Sequence, residues 1–322
     1  MKCQYCSKPA VYHRKISNET VCKEHFCTTI ENKIRKTVRK YNMFSPTEKI
    51  VVGVSGGKDS LVLLYNVMKL QQRYHESPPI EAILIDEGIE GYRYESTEIA
   101  KQMCRIWNVK LHIVKFKENF GKSLDEIIPK LPNLKINACT ICGTVRRHLL
   151  NKKAKSLQAD KLAIGHNLDD QTETFLQNIV RNDLKRILQH PPNGNITDPD
   201  SFFIPRVKPL MQVPEAEISR YCYYMDIPIQ TTPCPYVEKF FILRKEIQNF
   251  INALEDQSAE IKYNLLKMNE KIIDHTKIEI DQDTSFDPHD HRNFCIKCKS
   301  PCGEKRKLCY FCELKESLNC NI

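Results

Sequence analysis

The sequence has no long apolar run and no apolar segment near residue 1. No stretch of its 322 residues approaches the roughly 20 apolar positions that a helix needs to cross a bilayer. The first residues, Met1-Lys2-Cys3-Gln4-Tyr5-Cys6, carry cysteines where a secretory signal would carry an apolar segment. We therefore expect a soluble, cytoplasmic protein with no membrane association.

Cysteine and positive charge, in contrast, are abundant. In a reducing cytoplasm the fifteen cysteines are expected to be metal ligands or catalytic groups rather than disulfides, and their repeated Cys-x-x-Cys spacing indicates the same. The formal net charge of +9 favours a polyanionic partner over a small neutral one, although ordinary solubility charge would give the same number.

Paired metal-ligand motifs lie near both ends of the sequence. Cys3-x-x-Cys6 and Cys22-x-x-His25 are separated by fifteen residues, and Cys295-x-x-Cys298 and Cys309-x-x-Cys312 are separated by ten. Four sulfur or imidazole ligands at such spacings are typical of one tetrahedral zinc site. The sequence therefore predicts two Zn²⁺ ions, one bound by Cys3, Cys6, Cys22 and His25 and the other by Cys295, Cys298, Cys309 and Cys312.

A basic amphipathic helix is predicted directly after the first of these modules. Ile30, Ile34, Val38 and Tyr41 recur at helical spacing, and the positions between them are largely basic. A cationic helix face is often only solvated, but beside a zinc module it is equally suited to RNA. Both interpretations stay open at this point.

From Lys49 onward apolar runs alternate with helical stretches. Buried strands are predicted at Ile50–Val54, Ala82–Ile85, Lys110–Val114 and Lys161–Ile164. This alternation predicts an α/β fold with a doubly wound parallel sheet. Ligands of such sheets bind at the carboxyl ends of the strands, and the most distinctive residues of this sequence fall at those ends.

The first strand is followed by Ser55–Ser60, with the sequence Ser-Gly-Gly-Lys-Asp-Ser. Two glycines between a buried strand and a helix place backbone N–H groups, a lysine and hydroxyls at a helix N-terminus, which suits phosphate. The spacing differs from that of a Walker A loop. The loops Asp86–Arg93 and Gly165–Asp170 follow later strands and are expected to converge on the same crevice. Asp169-Asp170 alone would fit an acidic helix N-terminus, but opposite a phosphate loop one aspartate could hold Mg²⁺.

Three cysteines of the central region form a set of their own. Cys139 and Cys142 lie in one Cys-x-x-Cys motif, and Cys234 follows far downstream in Pro-Cys-Pro-Tyr. Three thiolates suit an iron–sulfur cluster with one open iron better than structural zinc, which takes four ligands. Cys222 could complete a zinc site, but it shares a helix face with Ile218 and is predicted to be a core residue. Core positions are also predicted for Cys27 and Cys104, and no role is predicted for Cys302 or Cys320.

Together these motifs resemble the tRNA uridine 2-thiolation enzymes, a group of PP-loop ATP pyrophosphatases, over nearly the whole chain. The resemblance implies that ATP adenylates the uracil O2, with release of pyrophosphate, and that sulfur then replaces AMP at C2. It implies that ATP is bound by Gly53, Val54, Ser55, Gly56, Gly57, Lys58, Asp59, Ser60, Ile85, Gly165 and Asp170. It also implies a catalytic group of Asp59, Arg146 and Asp170, with Mg²⁺ on Asp59 or Asp170, and a [4Fe–4S] cluster on Cys139, Cys142 and Cys234.

Two branches of this family differ in the uridine that they modify. The branch that acts on the wobble uridine typically shows Asp-Glu-Gly-Ile-x-Gly-Tyr-Arg and Cys-Thr-x-Cys-Gly-x-x-Arg-Arg, which stand here at Asp86–Arg93 and Cys139–Arg147. The branch that acts on uridine 54 usually has lysine in place of Arg146 and lacks the acidic pair Asp86-Glu87. The sequence around Cys234 is common to the uridine 54 enzymes as well. We favour the wobble position and keep position 54 as the alternative.

Other interpretations are weaker but distinct. Cys139 or Cys142 could carry a persulfide that Cys234 resolves, in place of a cluster. The chain could also be an inactive zinc-ribbon tRNA-binding protein, although Ser55–Ser60 is intact. A lysidine synthetase or an amide-forming synthetase would have no use for the three cysteines. A cytidine 2-thiolase usually has two Cys-x-x-Cys pairs around its active site, and here only one lies inside the catalytic domain.

The expected organisation has five parts. They are an N-terminal zinc finger (1–28), a basic linker helix (29–46), the catalytic domain (47–235), a helical extension and linker (236–290) and a C-terminal zinc ribbon (291–322). The expected partners are tRNA, a second copy of the chain in a homodimer, and a sulfur donor that could be sulfide, a desulfurase or a ubiquitin-like thiocarboxylate protein. Candidate RNA contacts are Arg35, Lys36, Arg39, Lys152, Lys153, Lys185, Arg186, Arg206 and Lys208.

Overall fold

The computed structural model describes residues 1–134, 136–188, 202–236, 242–282, 293–303 and 306–320. The strands are β1 (Tyr12–Arg14), β2 (Glu19–Val21), β3 (Ile50–Gly53), β4 (Glu81–Asp86), β5 (Lys110–Lys115), β6 (Lys161–Ala163), β7 (Arg206–Val207), β8 (Asn293–Phe294) and β9 (Pro301–Cys302). The helices are α1 (Lys23–Lys40), α2 (Lys58–Gln71), α3 (Arg93–Ile106), α4 (Phe116–Phe120), α5 (Leu124–Ile127), α6 (Ala138–Ser156), α7 (Leu168–Val180), α8 (Leu184–Leu188), α9 (Glu215–Tyr224), α10 (Ile242–Gln257), α11 (Ile261–Gln282) and α12 (Tyr310–Ser317), with a short 3-10 helix at Ile128–Leu134.

The central sheet confirms the predicted doubly wound fold. In the described part of the chain it has five parallel strands in the order β5-β4-β3-β6-β7. The four strands that the apolar runs predict are all present, whereas β7 is a two-residue strand that no periodicity could predict. The strand order reverses between β3 and β6, and this reversal opens a crevice at the carboxyl ends of those two strands.

The apolar runs of the sequence form the core on both faces of this sheet. Ile50, Val51 and Val52 are completely buried, as near-continuous apolar strands of parallel sheets must be. The cysteines predicted as core residues, Cys27, Cys104 and Cys222, are all buried among these apolar side chains. Burial raises the pKa of Cys104 to about 11, so this thiol is inert at neutral pH.

The predicted amphipathic helix is present and begins earlier than its apolar pattern indicates. α1 begins at Lys23, so His25 of the first metal-ligand module lies in its first turn. Ile30, Ile34 and Val38 are buried as predicted. The basic residues Arg35, Lys36 and Arg39 are exposed on the opposite face.

The two terminal modules share cores with the central domain rather than forming their own. Cys3 and Val21 belong to the same apolar cluster as α1 and the sheet. At the other end, Leu314 and Leu318 pack in one cluster with Leu149 of α6. Among the helices of the described residues, none combines the length and apolar content that a membrane crossing requires.

A buried ion pair fastens the N-terminal module to α9. Arg14 Nε donates to Glu217 Oε1 at 2.5 Å, and both side chains are about 95% buried, with exposed fractions of 5% and 4%. Lys33 Nζ lies 3.3 Å from the other oxygen of Glu217. Because Glu217 neutralises two cations from two elements, its removal leaves the buried Arg14 with Glu19 as its remaining carboxylate and Lys33 with the Tyr263 hydroxyl.

We expect Glu217→Ala to lower the free energy of unfolding by about 3 kcal/mol, since it removes a buried carboxylate that two cations share. The matched control is Glu98→Ala, which breaks the exposed pair with Lys101 and should cost less than about 1 kcal/mol. Denaturant unfolding of both variants measures the difference. Equal losses in the two variants would contradict the importance of the Arg14–Glu217 contact.

Candidate functional site

The predicted phosphate loop turns sharply between β3 and α2 and is closed by its own hydroxyl groups. Ser55 Oγ accepts a hydrogen bond from the Gly57 N–H at 3.2 Å and lies 3.1 Å from Ser60 Oγ. Ser60 Oγ accepts from the Ser55 N–H at 3.0 Å and donates to the Gly57 carbonyl at 2.8 Å. The loop ends at Gly57, the N-cap of α2, so the positive end of the helix dipole faces the crevice.

Two glycines permit the close approaches that shape this loop. Gly56 has φ +83°, and a Cβ there would stand only 2.0 Å from the carbonyl oxygen of Ser96. Gly165, directly after β6, passes so near the start of α2 that a Cβ would lie 3.1 Å from the Asp59 carbonyl carbon. Both positions therefore require glycine, for conformation and space at Gly56 and for space alone at Gly165.

Lys58, the loop lysine, is held by two carboxylates. Its Nζ donates to Glu215 Oε1 at 2.6 Å and lies 3.4 Å from Asp59 Oδ2. Burial raises the pKa of Asp59, and the nearby charges of Asp170 and Glu215 add to this effect. A carboxylate in such surroundings gains from a cation, so Asp59 is suited to a metal ion.

The loop after β6 presents Asp170 toward the same place. Asn167 and Asp170 form a capping box at the start of α7, and Asn167 Nδ2 donates to Asp59 Oδ1 at 2.9 Å. Asp170 Oδ1 also accepts from Arg244 of α10 at 2.7 Å. Asn167 therefore contacts both Asp59 and Asp170, and the charge of Asp170 contributes to the raised pKa of Asp59; that one of them holds magnesium stays a prediction.

Asp169, the other member of the acidic pair, links elements of the fold through its hydrogen bonds. Its Oδ2 accepts from the Glu215 N–H at 2.8 Å, and its Oδ1 accepts from the buried Lys262 of α11. Lys262 also donates to Glu255 at 2.6 Å. Asp169 thus connects the helices α10 and α11 with Glu215, the partner of Lys58.

Glu87, a buried carboxylate, connects the phosphate loop with α6. Glu87 Oε2 lies 2.8 Å from Arg93 Nε, and Glu87 Oε1 lies 3.8 Å from Arg146 Nη1. Arg93 also donates to the carbonyls of Ser55, at 3.1 Å, and of Ile85. One carboxylate therefore joins residues of the two motifs that stand at Asp86–Arg93 and Cys139–Arg147.

Cys139 and Cys142 lie at the start of α6 and Cys234 lies near them, although the three sulfur atoms are not gathered within 4.8 Å of one another as the ligands of the terminal modules are. Asn137 caps this helix by accepting from the Thr140 N–H at 2.7 Å, which places Cys139 and Cys142 in its first turns. Burial raises the pKa of Cys142 to about 12, and Glu87 is the next cause. The charge of Cys234 raises the pKa of Cys139 in addition to burial, so Cys234 lies beside the pair.

A row of cations lines the crevice next to these cysteines. Burial and the repulsion of Arg147 lower the pKa of Arg206 to about 10, and burial and Arg206 lower that of Lys208 to about 8. Burial and the charges of Arg146 and Arg186 lower the pKa of Arg147 in turn. Cations that lower one another's pKa repel each other, and a bound anion reduces this repulsion. The row is therefore suited to phosphate groups.

The other predicted positions fall on the same side or near it. The side chains of Val54 and Ile85 are buried, so only their backbone atoms face the loop. The Ile85 carbonyl accepts a hydrogen bond from Arg93. Gly53 ends β3 beneath the loop. Lys152 is exposed on α6 with Lys153 half-buried beside it, whereas Lys185 and Arg186 are exposed on α8.

The terminal modules bring their predicted ligands together. The ligand atoms of Cys3, Cys6, Cys22 and His25 all lie within 4.8 Å of one another, and the same holds for Cys295, Cys298, Cys309 and Cys312. Four sulfur and nitrogen donors at this spacing fit one tetrahedral ion. Cys302, in β9, instead donates to the carbonyls of Asn293 and Arg306, both at 3.2 Å.

The sequence does not reveal Glu215, Arg244 and Lys262 as parts of this site. Each lies far along the chain from the loop residue that it contacts, and none stands in a motif. Arg244 and Lys262 belong to helices whose only local signal is an amphipathic pattern. A local pattern shows which face of such a helix is apolar, and it does not show which carboxylate a basic residue reaches.

A glycine loop that presents backbone N–H groups and Lys58 at the switch point of a parallel sheet defines a PP-loop protein. The PP-loop domain family matches residues 26–268, three quarters of the chain. The match extends beyond the predicted catalytic domain at both ends and takes in most of α1, all of α10 and the first eight residues of α11, including Lys262.

Similar proteins are known within this family. The chain is 34% identical to the tRNA 2-thiolation protein NcsA of Haloferax volcanii, with 99% of both chains covered. It is 33% identical to a tRNA-5-methyluridine(54) 2-sulfurtransferase of Pyrococcus horikoshii, over 83% of this chain and 81% of the relative. The solved U34-tRNA thiolase NcsA from Methanococcus maripaludis, with its [4Fe-4S] cluster, has a TM-score of 0.75 and 33% identity and covers 85% of this chain and 89% of that one. The chain therefore belongs to the PP-loop tRNA 2-thiolation proteins and 2-sulfurtransferases.

We expect Gly56→Ala to abolish tight nucleotide binding, with at least a ten-fold weaker ATP affinity by calorimetry, because the loop must move away from Ser96. Gly91→Ala is the matched control, since Gly91 also has positive φ, +70°, but a Cβ there meets nothing within 4 Å. The control should lose only about 1 to 2 kcal/mol of stability. Similar ATP affinities for the two variants would refute the assignment.

A second prediction concerns the charge of Asp59. Because its pKa is higher in the folded protein than in the unfolded chain, its ionised form costs stability above the folded pKa. We expect Asp59→Asn to raise the melting temperature at neutral pH, with a difference that shrinks as the pH falls through the carboxyl range. Asp274→Asn, on the exposed face of α11, is the control and should show no such trend. Magnesium-dependent ATP binding should weaken only in Asp59→Asn.

Proposed function

We propose that this protein is an ATP-dependent tRNA 2-thiolase that makes 2-thiouridine at the wobble position, uridine 34. The observation that carries the proposal is the shared carboxylate Glu87. It joins Arg93, which holds the phosphate loop, to Arg146, which stands beside Cys142. A site for cutting ATP and a site for supplying sulfur therefore adjoin each other in one crevice.

The phosphate loop is suited to hold the β and γ phosphates of ATP, the part that leaves as pyrophosphate. The backbone N–H groups at the start of α2 stabilise the growing negative charge. Lys58, which donates to Glu215 in this structure, is within reach of the same phosphates. When ATP binds, the Lys58 ammonium group exchanges the Glu215 carboxylate for a phosphate. Asp59 and Asp170 supply oxygen ligands for Mg²⁺, which prefers such ligands together with substrate phosphates.

Cys139, Cys142 and Cys234 form a donor set that fits a [4Fe–4S] cluster. Cys139 and Cys142 lie in the first turns of α6, Cys234 lies in the loop after α9, and the charge of Arg146 counteracts the rise that burial causes in the pKa of Cys142. When bound, the cluster would supply an open iron for a sulfur atom. The chain itself holds the thiolates in place through the Asn137 cap and keeps Glu87 directed at Arg146 and Arg93.

Arg146 is the residue that we assign to the activated uridine. It is half-exposed, with 49% of its side chain accessible, and lies between the cysteines and the crevice. A guanidinium there stabilises negative charge on the uracil ring and on the departing AMP. Arg147, Arg206 and Lys208 continue the positive surface and are assigned to tRNA phosphates.

Position 34 is favoured over position 54 because residues of both wobble-type motifs contact each other. Glu87 of the acidic motif contacts Arg146 of the cysteine motif, so the two features act as one unit. The solved relative from Methanococcus maripaludis is named for U34, and the Pyrococcus horikoshii relative is named for position 54. Position 54 is therefore the second candidate.

The remaining parts of the proposal concern partners and metals. We assign zinc to both terminal modules, on their sulfur and nitrogen donors. We expect a homodimer that acts in the cytoplasm on sulfide, on a desulfurase persulfide or on a ubiquitin-like thiocarboxylate protein. An inactive tRNA-binding protein would not need the Lys58–Glu215 and Asp59–Asn167 contacts that maintain the loop.

The first test is mass spectrometry of tRNA fragments from cells that lack this protein. We expect 2-thiouridine to disappear at the wobble position and to stay at position 54. Loss at position 54 alone would support the second candidate. No loss at either position would refute thiolation and favour a binding protein without catalytic activity.

Cysteine variants in the same cells test the sulfur chemistry. Cys234→Ala should abolish the modification while full-length tRNA still binds, because the substitution removes a thiolate and leaves the cations in place. Cys104→Ala is the matched control, since Cys104 is buried in the core away from the site, and it should restore the modification. Iron and acid-labile sulfide, measured after anaerobic purification, should be lost in Cys234→Ala only. Active protein without iron would favour the persulfide mechanism.

A further inference from the structure

A cavity of about 540 Å³ lies between α6 and the C-terminal ribbon, away from the phosphate loop, and the predicted metal ligands Cys298 and Cys312 are among its lining residues. His148, Lys152 and Phe202 line it from the central domain. Phe311 and Lys315 line it from α12 of the ribbon. The ribbon therefore does more than bind a metal, since it supplies one wall of a cleft.

Aromatic rings form one side of this cavity. His148 and Phe311 stack face to face, with ring centroids 3.7 Å apart and planes within 6° of parallel. The ring of Phe202 stands 6.3 Å from that of His148 and is tilted by 32°. Burial and the charges of Lys152 and Lys315 lower the pKa of His148 to about 4, so its ring is neutral at pH 7. A neutral stacked platform of this kind suits the flat face of a base.

Positive charge surrounds the rings. Lys152, Lys297 and Lys315 line the cavity, and Lys155 Nζ stands 5.3 Å above the ring of Phe202. Among the described residues that line the cavity, the acidic one is Glu316, which is paired with Lys297 at 2.5 Å. An occupant with an aromatic face and a negative group would therefore satisfy both parts of the wall.

We propose that this cavity binds one unpaired nucleotide of the RNA substrate, with its base against the His148–Phe311 platform and its phosphate on Lys152 and Lys315. The proposal rests on the proposed function, which makes RNA the substrate. Stacking on aromatic side chains is how proteins hold unpaired bases, and lysines hold the adjoining phosphates.

The position of the cavity agrees with an RNA path across the crevice. His148 follows Cys142 on the same helix by six residues, about 9 Å along the axis at 1.5 Å per residue. Arg146 and Arg147 lie between them. At 3.6 residues per turn the side chains of Cys142 and His148 point about 120° apart around the helix, so an RNA that reaches both would pass around α6.

An acidic peptide is the competing occupant, because it would also use the lysines. It would bring no flat ring against the aromatic residues that line the cavity, so the observations favour a nucleotide. The two occupants respond differently to changes at His148, and this difference makes them separable by experiment.

The test measures binding of the full-length protein to a short, fluorescein-labelled oligouridylate by fluorescence anisotropy. We expect His148→Ala to weaken binding by roughly ten-fold, whereas His148→Phe, which keeps a stacking ring, stays within about two-fold of wild type. Tyr74→Ala, which removes an exposed ring elsewhere, is the control and should change nothing. Unchanged melting temperature and zinc content show that the variants are folded.

Charge variants and crosslinking complete the test. Lys152→Glu with Lys315→Glu should weaken binding and flatten its salt dependence. Lys101→Glu with Lys267→Glu, the same charge change on distant surface lysines, should not. An oligonucleotide that carries 4-thiouridine should crosslink to α6 or α12. Wild-type binding by His148→Ala, crosslinks elsewhere, or tighter binding of a polyglutamate peptide would each overturn the proposal.

Failure of this inference is distinguishable from failure of the proposed function. If wild-type protein thiolates tRNA and His148→Ala does so with unchanged KM, the cavity assignment is wrong and the thiolase assignment stands. If wild-type protein thiolates no tRNA but the oligouridylate still binds through His148, the cavity stands and the thiolase assignment is wrong.

Discussion

The buried carboxylate of Glu87 is the contact on which the geometry of the site depends. It is only 3% exposed and balances the charge of two arginines that come from different helices. A buried charge is tolerated when such pairing compensates its desolvation, so the buried Arg93 cannot leave without a large cost, whereas the half-exposed Arg146 at 3.8 Å makes a weaker contact. Arg93 in turn contacts the carbonyls of Ser55 and Ile85. Glu87 therefore fixes the residue that holds the phosphate loop and also lies beside Arg146 of the cysteine helix.

A second chain of contacts reaches the loop from the opposite direction. Lys262 holds Asp169, Asp169 holds the backbone of Glu215, and the side chain of Glu215 holds Lys58. Each link is a charge-assisted hydrogen bond, which is stronger and more directional than a neutral one. The helices α10 and α11 are thus part of the nucleotide site in the physical sense, since they set the position of its lysine. The residues matched by the PP-loop family include α10 and Lys262 of α11.

The sequence predicts those parts of the structure that local patterns determine. Short runs of sequence determine the four predicted strands of the sheet, the glycine loop and the metal-ligand pairs. The structure places these features where the sequence predicts them. The start of α1 is missed because its N-cap is Cys22, a residue that carries no helix-start signal. Glu215, Arg244 and Lys262 are missed because ion pairs between distant elements depend on the tertiary fold, which no periodicity records. Glu87 lies in a motif, but its pairing with both arginines becomes visible only in three dimensions.

The two terminal modules together contain eight predicted metal ligands, all outside the catalytic crevice, and their small size explains why. Neither module has enough apolar surface for a core of its own, and a bound metal is the usual compensation in small modules. The apolar residues of each module pack against the central domain. Val21 and α1 belong to one apolar cluster with the sheet, and Leu314 and Leu318 belong to another with α6. A metal bound by either module would therefore stabilise the central domain as well, and one bound by the ribbon would support α6, the helix that carries Cys139 and Cys142. Loss of metal from the ribbon would loosen the support of that helix even though no ribbon ligand touches the crevice.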